Sequence, residues 1–148
     1  MSKILIAYGS TTGNTAEVAD WIAENLRGKG LDVTAEDCAG LSFDDLCAGY
    51  DLVVLGSPTY GDDPIEIQED IEPLLDDLEK TSISGKKVAV FGCGDRSYTH
   101  FCGVVDVIEG RVKDCGGSLV VDSLRVDTPH DSFRDEVDVW SDEVAASV

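Results

Sequence analysis

The fold is decided near the start of the chain, by Lys3-Ile4-Leu5-Ile6-Ala7-Tyr8 and the loop Gly9-Ser10-Thr11-Thr12-Gly13-Asn14-Thr15 that follows it. The first stretch is a short apolar run with β-branched residues, which is typical of a strand buried on both faces of a parallel sheet. Beyond the loop, Val18, Ile22 and Leu26 recur at helical spacing. We therefore predict a strand, a polar loop and a helix in direct succession.

Strands and helices alternate in the same way along the rest of the chain. Further strands are predicted at 31–36, 51–56 and 86–92 and, with an irregularity near Asp122, at 118–126. Apolar stripes at helical spacing lie between or after them, at 67–78 (beginning with Ile67), 101–112 and 133–144. Alternating elements with short connections predict an α/β fold: a doubly wound, five-stranded parallel sheet with helices on both faces, in a single domain over residues 1–148.

The charge of the chain limits the partners that it can have. Its 148 residues include 30 Asp and Glu against 11 Lys and Arg, a formal net charge of −19 at pH 7. Nucleic acids and anionic membranes need a basic face, so both are excluded as partners. A basic protein stays open as a partner, because a negative field speeds the encounter with a positive surface. A well-solvated or salt-adapted surface is the other explanation left open.

Cysteines and apolar runs give no sign of export, metal binding or membrane insertion. The five cysteines are odd in number and none has CxxC spacing, so we expect neither a disulfide framework nor a zinc site. The first apolar run, which ends at Gly9, is too short for a signal peptide or a membrane span. We expect a soluble, reduced, cytoplasmic protein, and a monomer because like charges repel.

Three loops are expected at the carboxyl ends of strands 1, 3 and 4, where open α/β sheets bind ligands. The first consists of Ser10, Thr11, Thr12, Gly13, Asn14 and Thr15. Free N–H groups at a helix N-terminus, together with these hydroxyl and amide groups, favour a phosphate. Asn14 stands where a P-loop has its lysine, and GxGxxG is absent, so a terminal phosphomonoester fits best. An ordinary Ser/Thr-capped turn is the alternative.

The other two loops each offer an aromatic side chain among small residues. The second includes Ser57, Pro58, Thr59, Tyr60, Gly61 and Asp62, and the third includes Cys93, Gly94, Asp95 and Tyr98. Tyr60 and Tyr98 can sandwich a planar heterocycle. Gly61 and Asp62 tolerate positive φ, so the peptide between them is free to take two orientations. The plainer alternatives are a surface turn bearing Tyr60 and buried packing thiols at Cys93 and Cys102.

Together these loops resemble those of flavodoxins of the short-chain type. The resemblance is carried by residues 10–15, 57–62 and 91–98, followed by Phe101-Cys102-Gly103, and it covers essentially the whole chain. It implies a flavodoxin-like sheet with strand order 2-1-3-4-5. Long-chain members have an insertion in the last strand, and there is no room for one between Gly117 and Asp127.

The resemblance implies non-covalently bound FMN as the cofactor. The FMN phosphate would bind residues 10–15, and the isoalloxazine ring would lie between Tyr60 and Tyr98. Backbone of residues 58–62 and 93–95 would hold the polar edge of the ring, with Phe101 and Cys102 also in the site. Many short-chain relatives have tryptophan at the position of Tyr60, so their FMN affinity and potential do not transfer to this chain.

The activity implied by the resemblance is a one-electron shuttle between semiquinone and hydroquinone, not an enzyme. The Gly61–Asp62 peptide would turn its carbonyl toward flavin N5 on reduction. Residues 31–79 include 15 acids and no Lys or Arg. One carboxylate ~10 Å from an anionic flavin costs about 1.7 kcal/mol at an effective dielectric of ~20. Several carboxylates therefore predict a strongly reducing couple, the nearest being Asp62, Asp63, Glu66 and Asp95.

Acidic residues around the flavin predict transient docking with basic redox proteins, such as reductases, cytochromes or hydrogenase-type oxidoreductases. The alternative function is an FMN-dependent quinone or nitro reductase on the same fold, which would oxidise NAD(P)H without a partner. A receiver domain needs an aspartate where Ser57 stands, and a low-molecular-weight phosphatase needs CxxxxxR after the first strand. The chain has neither feature.

Overall fold

The computed structural model describes residues 2–9, 14–37, 49–60, 66–67, 85–94, 103–127 and 134–148. Its strands are β1 (Lys3–Tyr8), β2 (Asp32–Asp37), β3 (Leu52–Tyr60), β4 (Glu66–Ile67), β5 (Lys87–Gly94), β6 (Ser118–Leu119) and β7 (Leu124–Asp127). The helices within those ranges are α1 (Asn14–Gly28), α2 (Gly103–Asp114) and α3 (Arg134–Ser147).

The main sheet has the order β2-β1-β3-β5-β6, and β7 also pairs with β5. Every pair along this path is parallel. Because β6 and β7 share the fifth position, the order is the predicted 2-1-3-4-5. The irregularity predicted near Asp122 is confirmed as the break between β6 and β7.

Three sequence-based boundaries were wrong. Ser57 to Tyr60 continue β3 instead of forming a loop, and Cys93 and Gly94 likewise belong to β5. Ile67 does not begin a helix, because it pairs antiparallel with Thr59 in β4. In each case pairing with a neighbouring strand satisfies the backbone and overrides the local turn or helix signal. The rest of the helix predicted at 67–78 lies outside the described residues.

The sheet separates two apolar cores, as predicted. On one face α2 packs through Val104, Val105, Ile108 and Val112 onto alternate residues of β1, β3 and β5, such as Leu55. On the opposite face α1 and α3 cover the other alternate set, which includes Ile4, Ile6, Val54, Ala89, Phe91 and Cys93. Successive residues of a strand point to opposite faces, so a strand covered by helices on both sides must be apolar throughout.

Gly56 of β3 lies directly opposite Phe91 of β5. A Cβ added at Gly56 would overlap the ring of Phe91. The Phe91 side chain is fully buried and meets the Trp140 ring edge-on, with centroids 6.2 Å apart. Phe91 therefore fills the space that glycine leaves, and α3 covers the ring from outside.

We expect Gly56→Ala to lower the free energy of unfolding by about 2 kcal/mol, because the Phe91 ring is enclosed and has no room to move. Gly110→Ala is the matched control. An added Cβ at Gly110 meets nothing within 4 Å, and alanine favours the helix, so this variant should be at least as stable as the parent. Urea unfolding of the two variants checks the prediction, and equal stabilities would contradict it.

Candidate functional site

The carboxyl ends of three neighbouring strands meet at one edge of the sheet. Tyr8 of β1 is in register with Gly56 of β3, and the Gly9 N–H donates a hydrogen bond to the Gly56 carbonyl oxygen at 3.0 Å. On the other side of β3, Pro58 is in register with Cys93 of β5. The carboxyl ends of β1, β3 and β5 therefore lie at the same edge of the sheet, as the sequence predicted.

Much of the predicted site lies beyond these strand ends. Outside the described residues are Ser10, Thr11, Thr12, Gly13, Gly61, Asp62, Asp95, Tyr98, Phe101 and Cys102. The backbone is described for Asn14, at the start of α1, for Pro58, Thr59 and Tyr60 in β3, and for Gly94 in β5. Side-chain positions are described for Thr15, Ser57 and Cys93.

Thr15 is buried in the first turn of α1. Its side chain is 1% exposed, and its hydroxyl oxygen Oγ1 has no hydrogen-bond partner among the described residues. The first N–H groups of a helix have no acceptor within the helix. A buried hydroxyl without a partner is costly, so this helix N-terminus combines a free side-chain donor with the positive end of the helix dipole. Such a site favours an anion with several oxygens.

Ser57 and Cys93 lie beneath the same edge, and both are buried. Burial raises the pKa of the Cys93 thiol from 9.0 to about 11, against a smaller opposite effect of the Thr15 hydroxyl. That hydroxyl is thus near the thiol, although the two do not reach hydrogen-bond geometry. At neutral pH Cys93 is a protonated thiol, which is neither a nucleophile nor a metal ligand. The Cys93 side chain is packed in the apolar core that α1 and α3 cover.

Two glycines allow the close packing below the site. Gly92 packs against Val105 of α2, whose Cγ2 lies 2.5 Å from the position of an added Cβ. Gly56 was not singled out. A glycine inside an apolar strand, with a phenylalanine in the next buried strand, is the signal that could have identified it.

Within the described ranges no group of His, Cys, Asp and Glu is arranged to hold a metal ion. Among those same residues, no helix combines the length and the apolar character that crossing a bilayer requires.

Comparison with known proteins identifies the family. A family model described as Flavodoxin matches residues 6–140. The chain is 46% identical to a flavodoxin of Maridesulfovibrio salexigens and 43% identical to one of Nitratidesulfovibrio vulgaris, each over the full length of both chains. The crystal structure of oxidised flavodoxin 2 from Bacillus cereus superposes with a TM-score of 0.91 at 37% identity, covering 99% of this chain and 100% of that one.

This chain belongs to the flavodoxin family. It is an FMN-binding electron carrier and not an enzyme, and nothing in the comparisons favours the alternative reductase. Carriers of this family act through transient encounters with redox partners. The described residues fit the cofactor, because FMN bears a terminal phosphomonoester and Thr15 offers a buried, unpartnered hydroxyl at a helix N-terminus.

The Cys93 thiol makes the stability of the protein depend on pH in the alkaline range. The unfolded chain loses this proton near pH 9, whereas the folded chain keeps it to about pH 11. The free energy of unfolding therefore falls by about 2–3 kcal/mol as the pH rises through this window.

We expect Cys93→Ala to flatten the dependence of the unfolding free energy on pH between about 9 and 11. Urea unfolding at several pH values, on the parent and on the variant, measures it. Other groups titrate in both proteins, so the difference between the two profiles isolates Cys93. Parallel profiles would show that this thiol titrates normally in the folded protein.

Proposed function

We propose that this chain is a low-potential, one-electron carrier that works between redox proteins, with FMN bound in the three loops at the carboxyl edge of its sheet. The observation that carries the proposal is the buried, unpartnered Thr15 hydroxyl at the N-terminus of α1. Within a single domain over residues 1–148, this edge brings together the ends of β1, β3 and β5.

We assign the FMN phosphate to the first loop and the flavin ring to the second and third. The phosphate ligands proposed are Ser10, Thr11, Thr12, Gly13, Asn14 and Thr15. The ring is assigned to Ser57, Pro58, Thr59, Tyr60, Gly61, Asp62, Cys93, Gly94, Asp95, Tyr98, Phe101 and Cys102. When bound, FMN accepts and releases electrons one at a time.

The role proposed for Thr15 is to donate its hydroxyl hydrogen bond to a phosphate oxygen. Its position supports this, because the donor is already desolvated and held in the first helical turn. The hydroxyl is desolvated when the protein folds, which costs free energy, and its hydrogen bond to the phosphate then offsets that cost. The Cys93 thiol, buried and protonated beside it, contributes no negative charge that would repel the phosphate.

We expect Thr15→Val to weaken FMN binding by about tenfold to a hundredfold, since hydrogen bonds to charged groups contribute about 1.5–3 kcal/mol. Binding of riboflavin, which has no phosphate, should change little. The apoprotein should become more stable, because valine removes a buried hydroxyl without a partner.

Thr15→Ser, which keeps the hydroxyl, is the control and should bind FMN nearly as tightly as the parent. Fluorescence titration of apoprotein with both flavins gives the ratio of the two affinities. An equal loss for FMN and riboflavin would remove Thr15 from the phosphate site.

The low potential is proposed from the charge of the chain. A net charge of −19 disfavours any reduction step that adds a negative charge near the sheet edge. Backbone positions are described for one of the acids expected near the flavin, Glu66, which pairs with Tyr60 at the end of β3. We also propose that the partners present basic docking surfaces, as the same charge favours. The reduced thiol of Cys93 supports a reducing compartment, the cytoplasm.

Anaerobic potentiometric titration, followed by the visible spectrum, should resolve two one-electron steps. Raising the ionic strength from about 0.02 to 0.5 M should make the more negative midpoint potential less negative, because salt screens the carboxylates. The other midpoint should move much less. A single two-electron step, or oxidation of NADPH by the protein alone, would contradict the proposed carrier and favour the reductase.

A further inference from the structure

An apolar groove opens between β7 and one face of α3. Its volume is about 360 Å³, and its lining residues are Leu124, Asp135, Glu136, Val139, Trp140 and Glu143. Val139 is 59% exposed and is the one large hydrophobic residue that is exposed in the described part of the chain. We call this surface the α3 groove. An apolar floor flanked by exposed carboxylates is typical of a binding surface.

The basic side chains that the structure describes near the α3 groove form ion pairs with residues outside it. Arg125 follows Leu124 in β7, points to the opposite face of the sheet, and pairs with Asp106 of α2 at 2.6 Å. Arg134 and Lys29 pair with Glu24 and Asp142 between α3 and α1. Among the described residues, the lining of the groove therefore includes three carboxylates and no Lys or Arg.

The charges on α3 are thus divided between two faces. The α1-facing side contains the ion pairs, including Arg134 with Asp138 at 3.5 Å. Asp135 and Glu136 stabilise the N-terminal turn of α3 through the helix dipole. Glu143 lies near the C-terminal end, where the dipole disfavours a carboxylate and the last turn has no basic residue. The helix dipole therefore does not stabilise Glu143 as it does Asp135 and Glu136.

The lining residues of α3 are spaced for a helical partner. Relative to Glu136, the apolar residues Val139 and Trp140 follow at three and four positions, and Glu143 follows at seven. Two carboxylates about 10 Å apart thus bracket one apolar contact along the helix. A helix laid alongside would match this surface with an aliphatic side chain between two cations.

We propose that the α3 groove is a docking site for a partner protein, bound through a cationic amphipathic helix. An aliphatic side chain of the partner would contact Leu124, Val139 and Trp140, and its Lys or Arg side chains would lie against Asp135, Glu136 and Glu143. Exposed ion pairs contribute little affinity, so the apolar contact supplies most of the binding and the carboxylates supply its specificity. The inference does not depend on the proposed potentials, because docking here requires no electron transfer.

The α3 groove is separate from the loop edge that we assign to FMN. Leu124 lies three residues before the end of β7, which is about 10 Å along a strand. None of the residues that line the groove belongs to the three loops assigned to FMN.

The probe for the test is a synthetic helical peptide with two lysines seven residues apart and a leucine midway between them. Its control has glutamine in place of leucine and the same charge. Both are titrated into the ¹⁵N-labelled, oxidised, FMN-bound protein and followed by NMR. We expect the leucine peptide to bind at least fivefold more tightly than the control, with the largest shifts at amides of β7 and α3.

Three variants at exposed positions make the test specific. Val139→Gln should abolish the advantage of the leucine peptide over the glutamine peptide. Glu136→Gln with Glu143→Gln should weaken binding of the leucine peptide about fivefold or more. Asp20→Asn with Asp114→Asn changes the net charge equally on exposed residues of α1 and α2, and should weaken binding less than twofold.

Equal losses in the two double variants would mean attraction by net charge alone and would overturn the proposal. Equal binding of the two peptides by the parent, or shifts centred on other elements, would overturn it too. Because binding is read in the oxidised protein, these outcomes leave the electron-carrier proposal untouched, and a failure in the potentiometric titration leaves the groove untouched.

Discussion

The parallel pairing of β3 with both β1 and β5 is the constraint on which the rest of the structure depends. It brings three strand ends to one edge and carries β3 to Pro58 and β5 to Cys93, beyond which β4 and β7 pair with them. Both faces of these strands are buried, so a shift of register by one residue would exchange the two cores. The contact of Gly56 with Phe91 also favours this register, because the ring fits only where the opposing strand has no Cβ.

Some residues at this edge are not the ones that would make the folded protein most stable. Thr15 buries a hydroxyl without a partner at the start of α1, and Cys93 buries a thiol beside it, in a core that is otherwise apolar there. A valine at position 15 would suit that core better. Binding sites commonly retain unpaired groups of this kind, because the ligand completes the hydrogen bond.

The excess of acids has structural consequences as well as electrostatic ones. Most of the basic side chains whose contacts are described bind a residue of another element or a backbone carbonyl. Lys29, Arg125 and Arg134 are examples of ion pairs between elements. Arg27, for example, donates to the Val33 carbonyl oxygen at 2.9 Å. The cations thus join elements together, and the carboxylates left on the outer faces dominate the field that a partner meets.

The sequence by itself determined the order of the strands in the main sheet, the alternation of strands and helices, the apolar residues of the described cores and the family. Local periodicity and composition are sufficient for this, because strands buried on both faces and amphipathic helices each leave their own pattern. Ser57 and Cys93 were assigned to loops and Ile67 to a helix, since turn and helix signals are local whereas strand pairing is not. The unpartnered Thr15 hydroxyl and the α3 groove were likewise decided only by tertiary structure. Each depends on which residues of distant segments lie opposite one another, and that is fixed only when the sheet and its helices pack together.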